Sequence, residues 1–377
     1  MKRPLLLFVV LGLAGFAARA ATPLYVCTDV PTTESATSTT LLPSVIYKYI
    51  RLPVSYTLAL TVAGSPTLDA IQKMDKPANW LFSVEAANNL GGALGGTDAD
   101  PRDVIRVNTV SGAYSTFFCG SVVGVPSYAN VDAATLDGGD TGDLILSFDV
   151  PTTIGASTFE AADLVRFQRT GPGCASWTLA AANPDFASSV AGVPTTSNVI
   201  GAETLGTLRL LAFDVPTTLG ASTYSPGQVV SWNGAGFAIW ETLAGWPASS
   251  AVDGLSWVGN PGLVPPTITV DKVPASTNIA LSWSVSCSDG ALDYGIYEGQ
   301  LGTWYSHTLA TCTDAGTPLT EQITPGAGSR YYLVVPHNVV TEGSYGKSKN
   351  YPAGFDTERP VGSAQCASPQ VVTPCPP

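Results

Sequence analysis

The sequence is poor in charge and in histidine. Only 12% of its 377 residues are charged, and 17 basic residues stand against 29 acidic ones, which gives a net charge of −12. Binding to nucleic acid needs clustered Lys and Arg, so this balance argues against a nucleic-acid partner. With only two histidines, His307 and His337, and no Cys-x-x-Cys pair, the sequence offers no ligand set for zinc.

Motifs for the common catalytic mechanisms are also missing. Neither histidine accompanies a Gly-x-Ser-x-Gly elbow, and no Gly-rich phosphate-binding loop leads into a helix. We therefore predict no catalytic residue and no cofactor-binding residue. A glycosidase needs only two carboxylates, and the Asp and Glu residues spread along the chain leave that class open.

Long hydrophobic runs are absent beyond the N-terminus. Lys2 and Arg3, the apolar run 5–16 and the small residues around Arg19 form the pattern of a signal peptide, which we expect to span residues 1–20 and to be cleaved after Ala20. The run is shorter than the roughly 18 residues that a transmembrane helix needs, so we expect no membrane span in the mature protein. The predicted localisation is secreted or periplasmic, where disulfides form.

The most informative feature that is present is an internal repeat. The segment 146–159 recurs 65 residues later as 211–224, and both copies contain Phe-Asp-Val-Pro-Thr-Thr. Two more divergent copies begin near Cys27 and Leu81. Gly, Pro, Ser and Thr interrupt nearly every apolar run, which favours short strands and tight turns.

Four units of four strands each are predicted within residues 21–259. The units cover about 24–75, 79–137, 143–205 and 208–258. Repeats of this length and strand number are typical of a β-propeller, so we predict an all-β chain that begins with a four-bladed β-propeller-like domain. The strands that contain Phe148 and Phe213 should then occupy equivalent positions in successive sheets. An open array or a pair of packed sheets is the alternative.

A second domain follows a Pro/Gly-rich linker at 260–266. Between 267 and 366, Leu-Ser-Trp283, a Tyr-x-Ile-Tyr ending at Tyr297 and Tyr-Tyr-x-Val-Val from Tyr331 lie on predicted strands. In these motifs the segment resembles a fibronectin type III domain, a β-sandwich; the resemblance implies a core Trp283 and a corner tyrosine at Tyr331 or Tyr332. A Pro-rich tail, 367–377, ends the chain.

The whole arrangement is similar to secreted bacterial proteins that combine β-propeller-like repeats with a C-terminal fibronectin type III-like domain. That resemblance implies an architecture and no activity. Within the second domain, Cys287 and Cys312 flank predicted strands, and we predict a disulfide between them. The partners of the other five cysteines stay open: Cys27, Cys119, Cys174, Cys366 and Cys375.

Acidic residues recur at two positions of the repeat. One set lies in the last strand of a unit (Asp69, Asp132, Asp253), and the other at the end of the first strand (Asp29, Glu85, Asp149, Asp214). For the aspartates before Val-Pro-Thr-Thr, we expect carboxylates that accept bonds from amides of their own loop. The alternative is a shared site in which mutual repulsion raises a pKa and calcium relieves it.

Two acidic turns are weak candidates for calcium. They contain Asp98, Asp100 and Asp103, and Asp137, Asp140 and Asp143. Neither turn has the ligand spacing of an EF-hand, so solvated loops are favoured and no other cofactor is expected. The predicted function is a secreted, non-enzymatic binding or surface-interaction protein with an extracellular protein or glycan as ligand. The alternative is a secreted carbohydrate-active hydrolase with paired carboxylates.

Overall fold

The computed structural model describes residues 24–51, 54–74, 78–137, 139–205, 207–257, 261–286, 288, 291, 293–303, 305–313, 319–338, 341–349, 356–367 and 370. Within these ranges the chain is all-β, apart from four helical turns: Leu90–Gly92, α1 (Gly120–Val123), Gly139–Thr141 and α2 (Ser188–Ala191). No helix in these ranges is long and apolar enough to cross a membrane. The predicted signal peptide, Cys287 and Cys375 lie outside them.

Sixteen strands of the repeat region form four antiparallel four-stranded sheets. Sheet A contains, in order, β22 (Gly254–Ser256), β1 (Leu24–Cys27), β4 (Val45–Arg51) and β5 (Val54–Thr61). Sheet B contains β6 (Leu68–Lys73), β7 (Asn79–Val84), β8 (Val104–Asn108) and β9 (Ala113–Phe118). Sheet C contains β10 (Val131–Asp137), β11 (Asp143–Phe148), β14 (Val165–Arg169) and β15 (Trp177–Leu179). Sheet D contains β16 (Val199–Leu205), β17 (Leu208–Phe213), β20 (Gln228–Trp232) and β21 (Phe237–Thr242).

The duplicated sequence builds the same structure twice. Phe148 pairs with Val131 in sheet C, and Phe213 pairs with Val199 in sheet D, so the two strands are equivalent as predicted. Each Val-Pro-Thr-Thr segment then begins a small hairpin. The three hairpins are β2 (Thr32–Thr33) with β3 (Thr40–Leu41), β12 (Thr152–Ile154) with β13 (Ser157–Phe159), and β18 (Thr217–Leu219) with β19 (Ser222–Tyr224).

The sheets are offset by one strand from the sequence repeats. The last strand of each predicted unit pairs with the first strand of the next unit, as β6 does with β7, and β22 pairs with β1 from the other end of the region. Sheet A therefore joins the two ends of the repeat region. The four strands β6, β10, β16 and β22, hereafter the inner strands, each contact the other three.

Successive sheets share hydrophobic cores. Buried side chains of sheets A and B, B and C, and C and D form three clusters, and a fourth joins sheet D to sheet A through Leu210, Val229, Tyr47 and Tyr49. Strands such as β11 are buried on both faces, which explains their unbroken apolar sequence. Each fully buried large apolar side chain contributes about 1.5–3 kcal/mol of transfer free energy.

The segment predicted to be the second domain contains two three-stranded antiparallel sheets. One has the order β23 (Thr269–Lys272), β24 (Ile279–Ser282), β27 (Thr320–Ile323), and the other β26 (Thr308–Cys312), β25 (Asp293–Gln300), β28 (Arg330–His337). A further pair is β29 (Lys347–Lys349) with β30 (Asp356–Glu358). Trp283 is buried in the core between the two three-stranded sheets. Its ring packs against that of Tyr294, with the ring centroids 5.4 Å apart. The Tyr332 hydroxyl donates to Glu298 on β25.

Two disulfides lie in the described ranges. Cys119 is bonded to Cys174, which links sheet B to sheet C. Cys312 is bonded to Cys366, so the predicted Cys287–Cys312 pairing is wrong. The physical reason is that the segment with Cys366 packs over β25: a Cβ on Gly295, which pairs with Cys312, would lie 3.0 Å from the Cys366 Sγ. Cys27 is a buried free thiol.

Candidate functional site

A β-bulge places an acidic residue at the start of two inner strands. In sheet C, Val131 pairs with Phe148 but Ala133 pairs with Ser147, so Asp132 is the extra residue of the bulge. Asp69 lies within the corresponding irregularity of β6, between Leu68 and Ile71. Bulges change the direction of a side chain relative to the regular strand, and they are common beside binding sites.

The other two inner strands differ at this position. The bulge of β16 contains Ile200 where β6 and β10 have an aspartate. Asp253 directly precedes β22, and its amide donates to the carbonyl of Cys27 at 3.2 Å. Three of the four equivalent positions are therefore acidic. We call Asp69, Asp132 and Asp253 the acidic cluster.

The acidic cluster is buried, and no cationic side chain among the described residues pairs with it. Its three side chains are only 6%, 7% and 8% exposed. None of the ion pairs among the described residues includes a member of the cluster. Buried carboxylates are normally paired or bound to a metal, because removing a charge from water costs several kcal/mol.

Two asparagines hold two of the three carboxylates. Asn130, just before β10, donates its side-chain amide to Asp69, and Asn198, just before β16, donates to Asp132 in the same way. Each bond joins one inner strand to the start of the next. In the described part of the chain, no donor bonds the Oδ2 of Asp253 or the buried Oδ1 atoms of the two asparagines. Three acceptor oxygens thus remain unsatisfied at this site.

Burial and mutual repulsion raise the pKa of every member of the cluster. Burial raises the pKa of Asp69 to about 7, and the asparagine bond opposes this shift. Burial also raises the pKa of Asp132 and of Asp253 well above the usual range. Neighbouring carboxylates add to all three shifts; they are members of the cluster itself together with Asp29, Glu85, Asp149 and Asp214. The two repeated acidic sets therefore interact.

The aspartates before Val-Pro-Thr-Thr hold the two asparagines in place. Asp149 accepts a bond from the backbone amide of Asn130 at 2.7 Å, and Asp214 accepts one from Asn198 at 2.8 Å. For Asp149 and Asp214, the predicted bonds to amides of their own loop are therefore wrong. The reason is that the end of β11 or β17 lies beside the start of its neighbouring inner strand, so the carboxylate meets that strand's first amide. Asp149 and Asp214 position the asparagines that hold the cluster.

Side-chain donors on the second strands fix the same end of the inner strands. Ser83 donates to the carbonyl of Val131 and Ser147 to that of Val199, both at 2.6 Å. Cys27, at the equivalent position of sheet A, points its thiol at the carbonyl of Leu68 at 3.8 Å. The acceptor in each case directly precedes the bulge residue of the next sheet. In sheet D the equivalent residue is Ala212, which has no such donor.

A second buried acid joins the inner strands further along. Glu203 on β16 accepts bonds from Thr135 on β10 at 2.8 Å, and from the Trp257 amide at 2.7 Å and the Ser256 hydroxyl at 3.2 Å in the segment of β22. The Thr204 amide is a fourth donor. Burial raises the pKa of Glu203 to about 7, although the four hydrogen bonds act to lower it. Because its oxygens are satisfied, Glu203 is a structural link between strands. Its position is not repeated, so no sequence signal marks it.

The two predicted calcium turns do not form ligand sets. Arg166 pairs with Asp137 at 2.6 Å and with Asp143 at 3.1 Å, and Arg102 pairs with Asp100 at 2.6 Å. Of the remaining three candidates, Asp103 accepts from the Gly120 amide, Asp98 is exposed, and the carbonyl of Asp140 accepts from Arg169. Arginine or amide donors thus bond carboxylates of both turns that calcium would need.

Among the described residues, one group has three ligand atoms close enough to hold a metal. It consists of Cys312, His337 and Cys366. The two cysteine sulfurs of this group are bonded to each other as a disulfide, so they cannot act as thiolate ligands. The structure thus offers no preformed soft-metal site in this part of the chain.

No protein-family model matches the sequence, and no curated protein is similar to it. Among solved structures, the chain is similar to the FN1–FN3 domains of chicken CNTN1, with 11% identity, 85% of both chains covered and a TM-score of 0.22. It is also similar to PorZ of Porphyromonas gingivalis, a surface component of the type-IX secretion system, with 10% identity, 79% and 47% coverage and a TM-score of 0.28.

A third similar structure is an auxiliary nutrient binding protein from Bacteroides thetaiotaomicron, with 11% identity, 90% and 64% coverage and a TM-score of 0.24. The chain spans about half the length of PorZ and less than two thirds of the nutrient binding protein. TM-scores this low carry no conclusion about function. The two disulfides, independently of these likenesses, are typical of proteins in an oxidising compartment.

Proposed function

We propose that the protein is a secreted, non-enzymatic binding protein and that the acidic cluster is its site for a cationic ligand. The observation that supports this most strongly is the presence of three buried carboxylates with no cation paired to them among the described residues. A bound positive charge would recover the free energy that their burial and mutual repulsion cost.

We further propose that sheets A to D close into a four-bladed β-propeller. Three observations support closure: β1 pairs with β22, each inner strand contacts the other three, and a hydrophobic core joins sheet D to sheet A. In such a fold the inner strands surround one axis, so residues at equivalent positions face a common opening. The aspartates of the acidic cluster would then approach the ligand from three blades.

The second domain is proposed to be a fibronectin type III-like spacer or docking module. Its two three-stranded antiparallel sheets around Trp283 support this proposal. Export is supported by the disulfides and by the signal-peptide pattern of the sequence.

A binding role fits the acidic cluster better than a carboxylate-pair hydrolase. Such an enzyme needs one carboxyl group kept protonated and another kept ionised, with pKa values moved apart by their surroundings. The pKa values of Asp69, Asp132 and Asp253 all move upward, and for the same first cause, burial. The cluster therefore supplies no pair with opposite shifts.

Thermal melting of the mature protein with a set of charged probes tests the proposed function. The cationic probes are Ca²⁺ and short peptides that contain Arg or Lys, and the controls are peptides of the same length that contain Glu. We expect at least one cationic probe to raise the melting temperature, no acidic peptide to do so, and the Asp253→Asn variant to lose the effect. Asp98→Asn, at an exposed site, is the matched control and should retain it.

Two results would overturn the proposal. One is a panel in which no cationic probe stabilises the mature protein. The other is a stabilisation that persists unchanged in Asp253→Asn. A generic glycosidase panel run alongside tests the alternative, a carboxylate-pair hydrolase. Glycosidase turnover that is lost in Asp69→Asn would show that the acidic cluster is catalytic.

A further inference from the structure

This inference rests on the proposed cationic ligand. The buried atoms of the site that lack hydrogen-bond partners indicate which chemical class of cation fits it. Asp253 is more than nine-tenths buried, and its Oδ2 has no donor among the residues that the structure describes. The Oδ1 atoms of Asn130 and Asn198 are buried and unsatisfied as well. All three are hydrogen-bond acceptors, and they belong to the starts of three different inner strands. A ligand that satisfies them must bring several N–H or O–H donors together with its charge.

The spacing of the cluster does not suit one directly chelated metal ion. Calcium holds its oxygen ligands at about 2.3–2.6 Å, so oxygens on opposite sides of one ion are about 5 Å apart. No three acidic residues in the described ranges bring an oxygen each within 4.8 Å of one another. The aspartates are therefore spread over more space than a bare ion fills, which favours a larger, branched cation.

A guanidinium group meets both requirements. It is planar, keeps its charge at any physiological pH, and presents five N–H donors in a fork that matches carboxylate oxygens. A Lys ammonium has the same charge but only three donors on one atom, so it reaches fewer separated acceptors. The acidic cluster with its two asparagine carbonyls is thus matched by a single Arg side chain.

The segments leading into the inner strands indicate that the arginine belongs to a larger partner. α1 precedes β10 and α2 precedes β16, and each exposes a valine: Val122 is 63% exposed and Val190 is 85% exposed. Tyr128, which is also exposed, lies two residues before Asn130. Apolar side chains exposed at equivalent places in the segments that lead into β10 and β16 are typical of a protein-binding surface.

We infer that this face binds an arginine side chain of an extracellular protein, with the guanidinium in the acidic cluster and the partner's flanking residues against Val122 and Val190. The fit rests on charge complementarity at the centre and apolar contact at the edge. Electrostatic attraction between the acidic protein and a basic partner segment would also speed their association.

Calorimetric titration of the full mature protein with matched peptides tests this inference. One peptide has a central Arg flanked by Val and Ala, and the second has citrulline in its place, which keeps the shape but replaces the guanidinium by a neutral urea. We expect the citrulline peptide to bind on the order of 30-fold more weakly or worse, since it leaves buried charges unpaired. Asp253→Asn should weaken the Arg peptide similarly, while Asp98→Asn should not.

Equal binding of the Arg and citrulline peptides would overturn the inference, and this comparison holds even if an aspartate variant fails to fold. If Ca²⁺ alone stabilises the protein through Asp253 and the Arg peptide does not bind, the inference fails but the cationic site stands. If neither binds, the proposed function fails as well. Loss of Arg-peptide binding in Val122→Asp with an unchanged melting temperature of the ligand-free protein would support the apolar edge.

Discussion

At the scale of single residues, the cluster shows how one residue type serves two purposes in one repeat. Asp149 and Asp214 are structural, since each fixes the amide of an asparagine at the start of an inner strand. Asp69 and Asp132 receive the side-chain amides of those same asparagines. Each asparagine is thus bonded on one side to an exposed aspartate, which fixes its place, and on the other side to a buried aspartate. Asp253 stands outside this pattern, because the next inner strand, β6, is preceded by Thr67, whereas β10 and β16 are preceded by Asn.

The buried aspartates make stability depend on pH in a defined direction. The pKa of Asp69 is about 7 in the folded protein, against about 3.9 for an unfolded Asp. Between these values the folded protein binds more protons than the unfolded chain, so the free energy of unfolding falls as pH rises. The pKa values of Asp132 and Asp253 shift further in the same direction, which extends the fall to higher pH.

We therefore expect the melting temperature of the ligand-free mature protein to fall between about pH 5 and about pH 8, and to fall less in Asp253→Asn. The asparagine keeps the shape and removes a buried charge that has no donor at its Oδ2. Asp98→Asn should melt with the slope of the wild type. A melting temperature that rises across this window, or an Asp253→Asn slope equal to the wild type, would contradict the burial argument.

At the scale of strands and sheets, the bulges and the cross-sheet donors decide where the aspartates lie. The repeat in the sequence correctly indicates that Asp69, Asp132 and Asp253 are equivalent, since equivalent residues follow from duplication. It does not reveal the bulge, because an extra residue in one strand is visible only against its pairing partner. It also does not reveal which of the two acidic sets is buried.

The serine bond between sheets C and D can be tested separately from the cluster. Ser147→Ala removes a hydroxyl that donates to the buried Val199 carbonyl, so we expect a loss of about 0.5–1.5 kcal/mol in the free energy of unfolding. Urea denaturation measures it. Ser157→Ala, on the exposed side of a hairpin, is the matched control and should change stability little. An equal effect of the two substitutions would mean that the bond contributes nothing.

The disulfides show a limit of sequence reasoning at the same scale. Cys287 and Cys312 flank predicted strands, yet Cys312 is bonded to Cys366, more than fifty residues further along the chain. Which cysteine reaches Cys312 depends on the path of the C-terminal segment over β25, where Gly295 leaves room for the Cys366 sulfur. That path is a tertiary feature, and spacing in the sequence does not encode it.

At the scale of the whole molecule, the repeat predicts more than the individual motifs do. It correctly indicates four sets of four strands. The unbroken apolar runs also predict that the first strand of a unit, such as β11, is buried. The offset between sequence units and sheets could not be predicted, because the pairing of β1 with β22 joins residues more than 200 positions apart. This pairing gives sheet A the same four strands as the others and brings Asp253 beside Asp69 and Asp132.

Proton release on binding tests the central claim, that the acidic cluster receives a cation. At pH 7 Asp69, whose pKa is about 7, is partly protonated, and a cation in the cluster lowers the raised pKa of all three carboxyl groups. Titration of the mature protein with the Arg peptide in two buffers of different ionisation enthalpy gives the number of protons released. We predict release of protons at pH 7 and a smaller release in Asp253→Asn. Binding of the Arg peptide with no proton release, or with the same release in Asp253→Asn, would contradict the account.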